Sequence, residues 1–298
     1  NSLEEASSDS DQWRRWSDNG IEAISRHFSW DAHVCNYLAF MQKRNSQSAS
    51  QLFTNQLEIA NPFGKKLLLL DLDTHLEQLT DDSLATLRDN LEISGPEKVN
   101  KIGILTGRSF KAAQHRYLQL KLPQPTVWIC RAGTEIYYGN GQQPDLSWQS
   151  NIEIDWNRSL VERALSKLND HLVLQEPSQQ SSLKVSFLLK QPGESILPLV
   201  RKRLREQGQA ALPYLRCHWY LDIIPLRASR AEAIRHLVLR WGLSLEDIFV
   251  VASQQGDAEL VRGLTSTLVP VEHDPCLEGL RSQKRVFFAS KPNNGIVD

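Results

Sequence analysis

Short apolar runs separated by polar stretches of helical period dominate the chain from residue 65 onward. Leu67-Leu68-Leu69-Leu70 ends in Asp71, Ile102-Gly103-Ile104-Leu105 ends in Thr106, and Val127-Trp128-Ile129-Cys130 follows. Continuous runs of this kind suit strands buried on both faces of a parallel sheet. Segments 81–90 and 109–120 read as helices between them, so strand and helix alternate. The alternation predicts an α/β fold with a doubly wound sheet. From 140 to about 216 the pattern changes. A helix at 160–171 precedes a strand at 184–190, and a helix at 196–207 precedes a strand at 214–220, which predicts a small α+β insertion. Alternation then resumes with a helix at 229–241, a strand at 248–252, a helix at 258–264, a strand at 266–270 and an edge-like segment at 286–289. Residues 294–298 read as the start of a helix cut off mid-turn.

The first sixty residues have another character. Ile21, Ile24, Phe28, Val34, Tyr37, Leu38 and Met41 recur at spacings of three and four within 12–43, with Ser29 as an internal N-cap. Residues 1–11 read as an acidic lead-in, and the Ser-, Gln- and Asn-rich stretch that follows as a linker. The expected organisation is a helical tail at 1–43, a linker at 44–60, a core at 61–140 and 217–298, and an inserted cap at 141–216.

Composition narrows the function. The 298 residues carry 34 Lys+Arg and 35 Asp+Glu, a formal charge of -1. That balance argues against electrostatic capture of nucleic acid or an anionic membrane. Cys35, Cys130, Cys217 and Cys276 form no CxxC pair and no zinc spacing, and are expected to be buried or bystander thiols. The polar start has no signal-peptide pattern, and no apolar run is long enough to span a bilayer. A cytoplasmic protein is expected. The chain starts at Asn1 and its single methionine is Met41, so a removed start or a piece of a longer polypeptide is expected.

In open α/β sheets the active crevice lies beyond the carboxyl ends of the strands. Asp71-Leu72-Asp73 places two carboxylates there. One can attack phosphorus while the other acts as acid or base, although Asp-x-Asp also opens loops and caps helices. Thr106-Gly107-Arg108-Ser109 combines a hydroxyl, a glycine amide and a helix start, a set that cradles phosphate or simply makes a strand-to-helix turn.

Taken together these motifs resemble the sucrose-phosphate phosphatase family of the haloacid-dehalogenase superfamily. The resemblance runs from Leu-Leu-Leu-Asp71-Leu-Asp73 through Ile-Leu-Thr106-Gly-Arg-Ser, Ala-Gly133-Thr134-Glu135-Ile-Tyr-Tyr and Lys184-Val-Ser-Phe. It continues in Tyr-Leu-Asp222-Ile-Ile-Pro225 and Gln255-Gly256-Asp257-Ala-Glu-Leu260. It implies a Rossmann-like core with a sugar-binding cap. Asp71 is the implied nucleophile, Asp73 the acid/base, and Asp71, Asp73 and Asp257 the implied Mg²⁺ ligands. Thr106, Gly107, Arg108, Gly133, Thr134, Glu135, Lys184 and Arg230 are implied to bind phosphate or substrate. Thr134 and Gly133 also suit a tight structural turn, and Lys184 a strand edge.

Three departures stand out. Thr74 and His75 follow the second aspartate where the family has a small or amide residue and then Thr. Arg230 stands where the family has a lysine, and a planar fork does not replace a compact ammonium freely. Gln254 stands where the family has a Mg²⁺-binding aspartate, which removes a charge from the implied site. A domain weak or inactive in catalysis is therefore expected, with an active Mg²⁺-dependent phosphatase and a purely structural module as alternatives.

Trp16 to Gly20, His27 to His33 and Tyr37-Leu38 resemble the last helices of the glycosyltransferase domain of sucrose-phosphate synthase. This implies an upstream transferase domain whose reaction moves glucose from a nucleotide sugar to fructose 6-phosphate. It also implies sucrose 6-phosphate as ligand and a separate sucrose-phosphate phosphatase as a docking partner. His27 and His33 read as packing or capping residues, and Arg201-Lys202-Arg203 with Arg205 as a solvated helix face.

Overall fold

A computed structural model describes residues 10–23, 66–93, 101–253 and 257–290. The chain divides into two units, 1–60 and 61–298. In the first, Ser10–Ala23 is helical with Trp13 and Trp16 exposed. The expectations for the rest of the helical tail, the linker and residues 294–298 lie outside the described residues.

The second unit is built on seven strands in one sheet. β1 (Leu67–Asp71) lies inside it, flanked in parallel by β2 (Lys101–Leu105) and β9 (Ile248–Val251). The spatial order is β11-β10-β9-β1-β2-β3-β4, with β3 Val127–Cys130, β4 Glu135–Tyr138, β10 Ser266–Val269 and β11 Val286–Phe288. All neighbours are parallel except β4, which pairs antiparallel with β3. The apolar run of β1 explains its position. Leu69 and Leu70 are fully buried, and each such side chain contributes roughly 1.5–3 kcal/mol of transfer free energy. Phe110, Tyr117 and Trp128 add edge-on aromatic packing on one face.

The cap is a second, antiparallel sheet of order β5-β6-β8-β7, made of β5 Leu172–Leu174, β6 Val185–Leu189, β7 Ala211–Arg216 and β8 Tyr220–Pro225. The helices Arg158–Leu165 and Leu197–Glu206 cover one face, sharing a core with Val161, Val200 and Leu204.

Three expectations need correction. The strand expected at 214–220 is two strands: the chain turns at Cys217 and His218, both left-handed at φ 47° and 58°, and Arg216 pairs back with Tyr220. The cap therefore runs past 216, because Tyr220–Pro225 completes its sheet between β6 and β7. The turn at Gly133 leads into β4, a hairpin strand the sequence pattern did not reveal. The helix expected at 258–264 is shorter, Ala258–Val261.

Candidate functional site

β1, β2 and β9 run parallel, so their carboxyl ends open on one side, where the sheet order reverses direction around β1. Asp71 ends β1 and is 1% exposed. Its Oδ1 accepts the Thr74 N–H and the Thr74 hydroxyl, each at 2.8 Å. Its Oδ2 lies 2.6 Å from Arg230 Nη1. The same Nη1 lies 3.0 Å from Asp257 Oδ1. One guanidinium nitrogen thus bridges two buried carboxylates. Tyr214 holds the arrangement from the cap: its ring packs under the guanidinium at 5.8 Å, and its hydroxyl is 3.4 Å from Asp257 Oδ1. The Ser253 N–H donates to Asp257 Oδ2.

Asp73 faces the other way. It accepts the Thr106 hydroxyl at 2.9 Å and the Gly107 N–H at 2.7 Å, and pairs with Arg108 Nε at 3.2 Å. The fork of Arg108 is spent on Glu77, which also takes Arg116. Burial alone would push both site carboxyls up. For Asp71 the Arg230 charge, with His75 and the two Thr74 bonds, reverses this and holds it below the ordinary carboxylate value. For Asp73 burial and the neighbouring Asp71 charge win over Gly107, Arg230 and Arg216, and the group is raised. His75 is buried, and burial lowers its imidazole; among the described residues its Nε2 has no hydrogen-bond partner.

Two glycines have steric duties here. A Cβ on Gly107 would lie 2.8 Å from the Arg216 guanidinium, which would have to shift to admit it. Gly133, at φ 100°, backs onto the start of the Arg230–Trp241 helix, and a Cβ there would lie 2.4 Å from the Ser229 carbonyl carbon. Trp148 fixes this turn by donating its indole N–H to the Gly133 carbonyl at 2.9 Å. Ser229 caps the same helix by accepting the Glu232 N–H.

A cleft of about 870 Å³ opens between core and cap. Asp73, Gly107, Arg108 and Arg116 line it from the core, and Arg216 and Tyr220 from the cap. Several residues expected to face substrate lie elsewhere. Lys184 is fully buried: its Nζ contacts Asp222 Oδ1 and the Gly107 carbonyl, each at 3.3 Å, so it ties cap to core. Gly133 and Thr134 are buried in the turn, where the Thr134 hydroxyl donates to the Arg131 carbonyl. Glu135 pairs with Arg131 and accepts from the Tyr137 hydroxyl. Arg230 is buried behind the cleft. Sequence reading singled out none of Arg216, Tyr214 and Glu77. Arg216 had a signal only in hindsight, as a cation closing a cap strand.

The resemblance implies Mg²⁺, and the donor set can be tested against it. Asp71 and Asp257 are bridged by a cation already, and their oxygens face N–H and O–H donors. Among the described residues no group of three or more His, Cys, Asp and Glu side chains is placed to hold a metal ion. Gln254 lies outside the described residues. The arrangement fits a guanidinium and does not fit a divalent cation, which needs open carboxylate oxygens.

Comparison with known proteins gives this geometry a setting. A family model described as sucrose-6F-phosphate phosphohydrolase matches residues 64–298. A probable sucrose-phosphate synthase 2 of Oryza sativa subsp. japonica is 27% identical over 303 residues, covering 88% of this chain and 30% of that protein. Sucrose-phosphatase 1 of Nicotiana tabacum is 30% identical over 178 residues, covering 59% of this chain and 42% of that protein. The chain therefore spans less than half the length of these relatives. Among solved structures, the sucrose-phosphatase of Synechocystis sp. PCC6803, in complex with sucrose and phosphate, aligns with a TM-score of 0.70 at 22% identity, covering 78% of this chain and 95% of that one. A haloacid dehalogenase-like hydrolase of Bacillus subtilis aligns at 0.53 with 17% identity, covering 80% and 92%. The fold is the expected haloacid-dehalogenase-like α/β core with a cap. No described helix is long and apolar enough to cross a membrane.

Proposed function

This chain belongs to the sucrose-6F-phosphate phosphohydrolase family, and from that premise we propose that its phosphatase-like domain binds sucrose 6-phosphate while turning it over weakly or not at all. The observation that carries this is Arg230 Nη1 set between Asp71 Oδ2 and Asp257 Oδ1. A nucleophilic carboxylate must present a free oxygen to phosphorus, and approach of an anionic phosphate needs a nearby dication to offset repulsion. Here Asp71 is buried, both its oxygens carry donors, and its cation partner is a fixed guanidinium. The cleft reaches Asp73, Gly107 and Arg108, and Asp71 is not among its lining residues.

The parent polypeptide in this proposal is a sucrose-phosphate synthase. Its glycosyltransferase domain would end in the helical tail at 1–43 and carry out glucosyl transfer to fructose 6-phosphate. The phosphatase-like domain then senses the product or docks a separate phosphatase. A cytoplasmic setting completes the proposal.

A second reading, an active phosphatase, has one observation in its favour. Asp71 is held low and Asp73 is raised, the division of labour that a nucleophile and an acid require. Calorimetric titration with sucrose 6-phosphate and a phosphate-release assay with Mg²⁺ separate the readings. Binding without release supports the first reading, release supports the second, and no binding at millimolar ligand leaves a structural module.

A further inference from the structure

The cap delivers two cations to the Thr106–Gly107 loop, and they differ in reach. Lys184 is closed off, with Nζ committed to Asp222 and the Gly107 carbonyl. Arg216 ends β7 and turns its guanidinium back over Gly107. Its Nε donates to Asp222 Oδ2 at 2.9 Å, which fixes the plane of the fork. Asp222 is itself fully buried and steadied by the Ser186 hydroxyl at 2.6 Å. Among the described residues neither Nη of Arg216 donates a hydrogen bond to a protein acceptor, whereas both Nη groups of Arg108 donate to Glu77 and its Nε pairs with Asp73. The Arg216 side chain is 15% exposed and lines the cleft.

We propose that Arg216 is the anion anchor of the cleft, reading the phosphoryl group of a sugar phosphate from the cap side through its two Nη groups. This deepens the binding reading above and rests on it. A planar fork fixed at Nε and open at both Nη groups matches the spacing of two phosphoryl oxygens. Of the carboxylates around it, Asp222 is held at Nε and Asp73 is covered by Thr106, Gly107 and Arg108, while Glu176 lines the same cleft. The rest of the cleft suits the sugar: Val173 and Leu188 offer an apolar face and Gln179 an amide, while the Tyr220 ring packs against the Arg216 guanidinium at 5.5 Å. The anchor therefore lies on the cap, away from the buried Asp71, so a phosphosugar is held without being presented to that carboxylate. Gly107 has two duties in this account, an amide for Asp73 and room for Arg216.

The test is calorimetric titration of the unaltered chain and of Arg216→Gln and Arg216→Lys with three probes: sucrose 6-phosphate, inorganic phosphate and sucrose. Arg216→Gln is expected to weaken both phosphate-bearing probes by roughly 10- to 100-fold, the range for a charged hydrogen bond. It leaves the affinity for sucrose unchanged, and Arg216→Lys recovers part of the loss. Equal affinity of the unaltered chain and Arg216→Gln for sucrose 6-phosphate overturns the anchor and leaves the binding reading standing. Failure of the unaltered chain to bind either phosphate-bearing probe overturns the binding reading and the anchor with it. Should Arg216→Gln not fold, arginine-directed labelling of the unaltered chain by phenylglyoxal decides: protection of Arg216 by phosphate supports the anchor, and labelling at an undiminished rate overturns it.

Discussion

Arg230 reaches across from the start of its helix to place one nitrogen 2.6 Å from Asp71, at the end of β1. Both side chains are almost completely buried, so the contact is shielded from water. Neither charge has water to fall back on. Losing one partner leaves the other uncompensated, which is more costly than never having built the pair.

Arg230→Gln is therefore expected to destabilise the domain by about 3–5 kcal/mol, the range for breaking a buried ion pair. Arg230→Lys keeps the charge but cannot fill the planar site, and is expected to cost less. Urea midpoints of the two variants against the unaltered chain check the order. A Gln variant as stable as the parent would show that the pair is not formed in solution.

Gly133→Ala is expected to loosen the same contact from a distance. The new methyl meets the Ser229 carbonyl carbon and strains a backbone at φ 100°, with a cost on the order of 1–3 kcal/mol. The start of the Arg230–Trp241 helix must shift to admit it. The measurable result is a lower unfolding temperature together with faster amide exchange in the first turn of that helix. Unchanged exchange there would separate Gly133 from the positioning of Arg230.

Acid should weaken the domain, with a definite sign. Burial would raise Asp71 and Asp222, but Arg230 for the first, and Arg216 with Lys184 for the second, hold them below the ordinary value of 3.8. Their contribution is present above that value and is lost as pH falls through the folded values. Asp73, raised by burial and by Asp71, works in the opposite sense: its contribution is present below 3.8 and is lost as pH rises through its folded value. Unfolding midpoints measured from pH 7 down to pH 3 are expected to fall on the acid side. Asp222→Asn is expected to give a lower plateau and a shallower acid limb. An acid limb as steep in Asp222→Asn as in the parent would remove Asp222 from the account.

The frame of the fold was legible because β1, β2 and β3 are continuous apolar runs and the polar segments between them have helical period. Asp71 and Thr106 stood out because each closes such a run. The cap was harder. Arg216-Cys217-His218-Trp219 contains no Gly, Asn or Pro, yet two of its residues take left-handed angles to reverse the chain, so the hairpin looked like one strand. Lys184 resembled a cleft residue, but its burial depends on Asp222 and Gly107, which are remote in sequence. Arg216 was invisible for the same reason. Charge at a strand end can be read from a sequence; the partner that leaves one cation open and closes another cannot.

If Arg230 holds the Asp71 site, the ligand that the cleft accepts is not turned over there. Phosphate release from sucrose 6-phosphate, assayed with Mg²⁺ for the unaltered chain and for Asp71→Asn, tests it most directly. The expected result is binding by the unaltered chain and no release that depends on Asp71. Brisk release, abolished by Asp71→Asn, would contradict it.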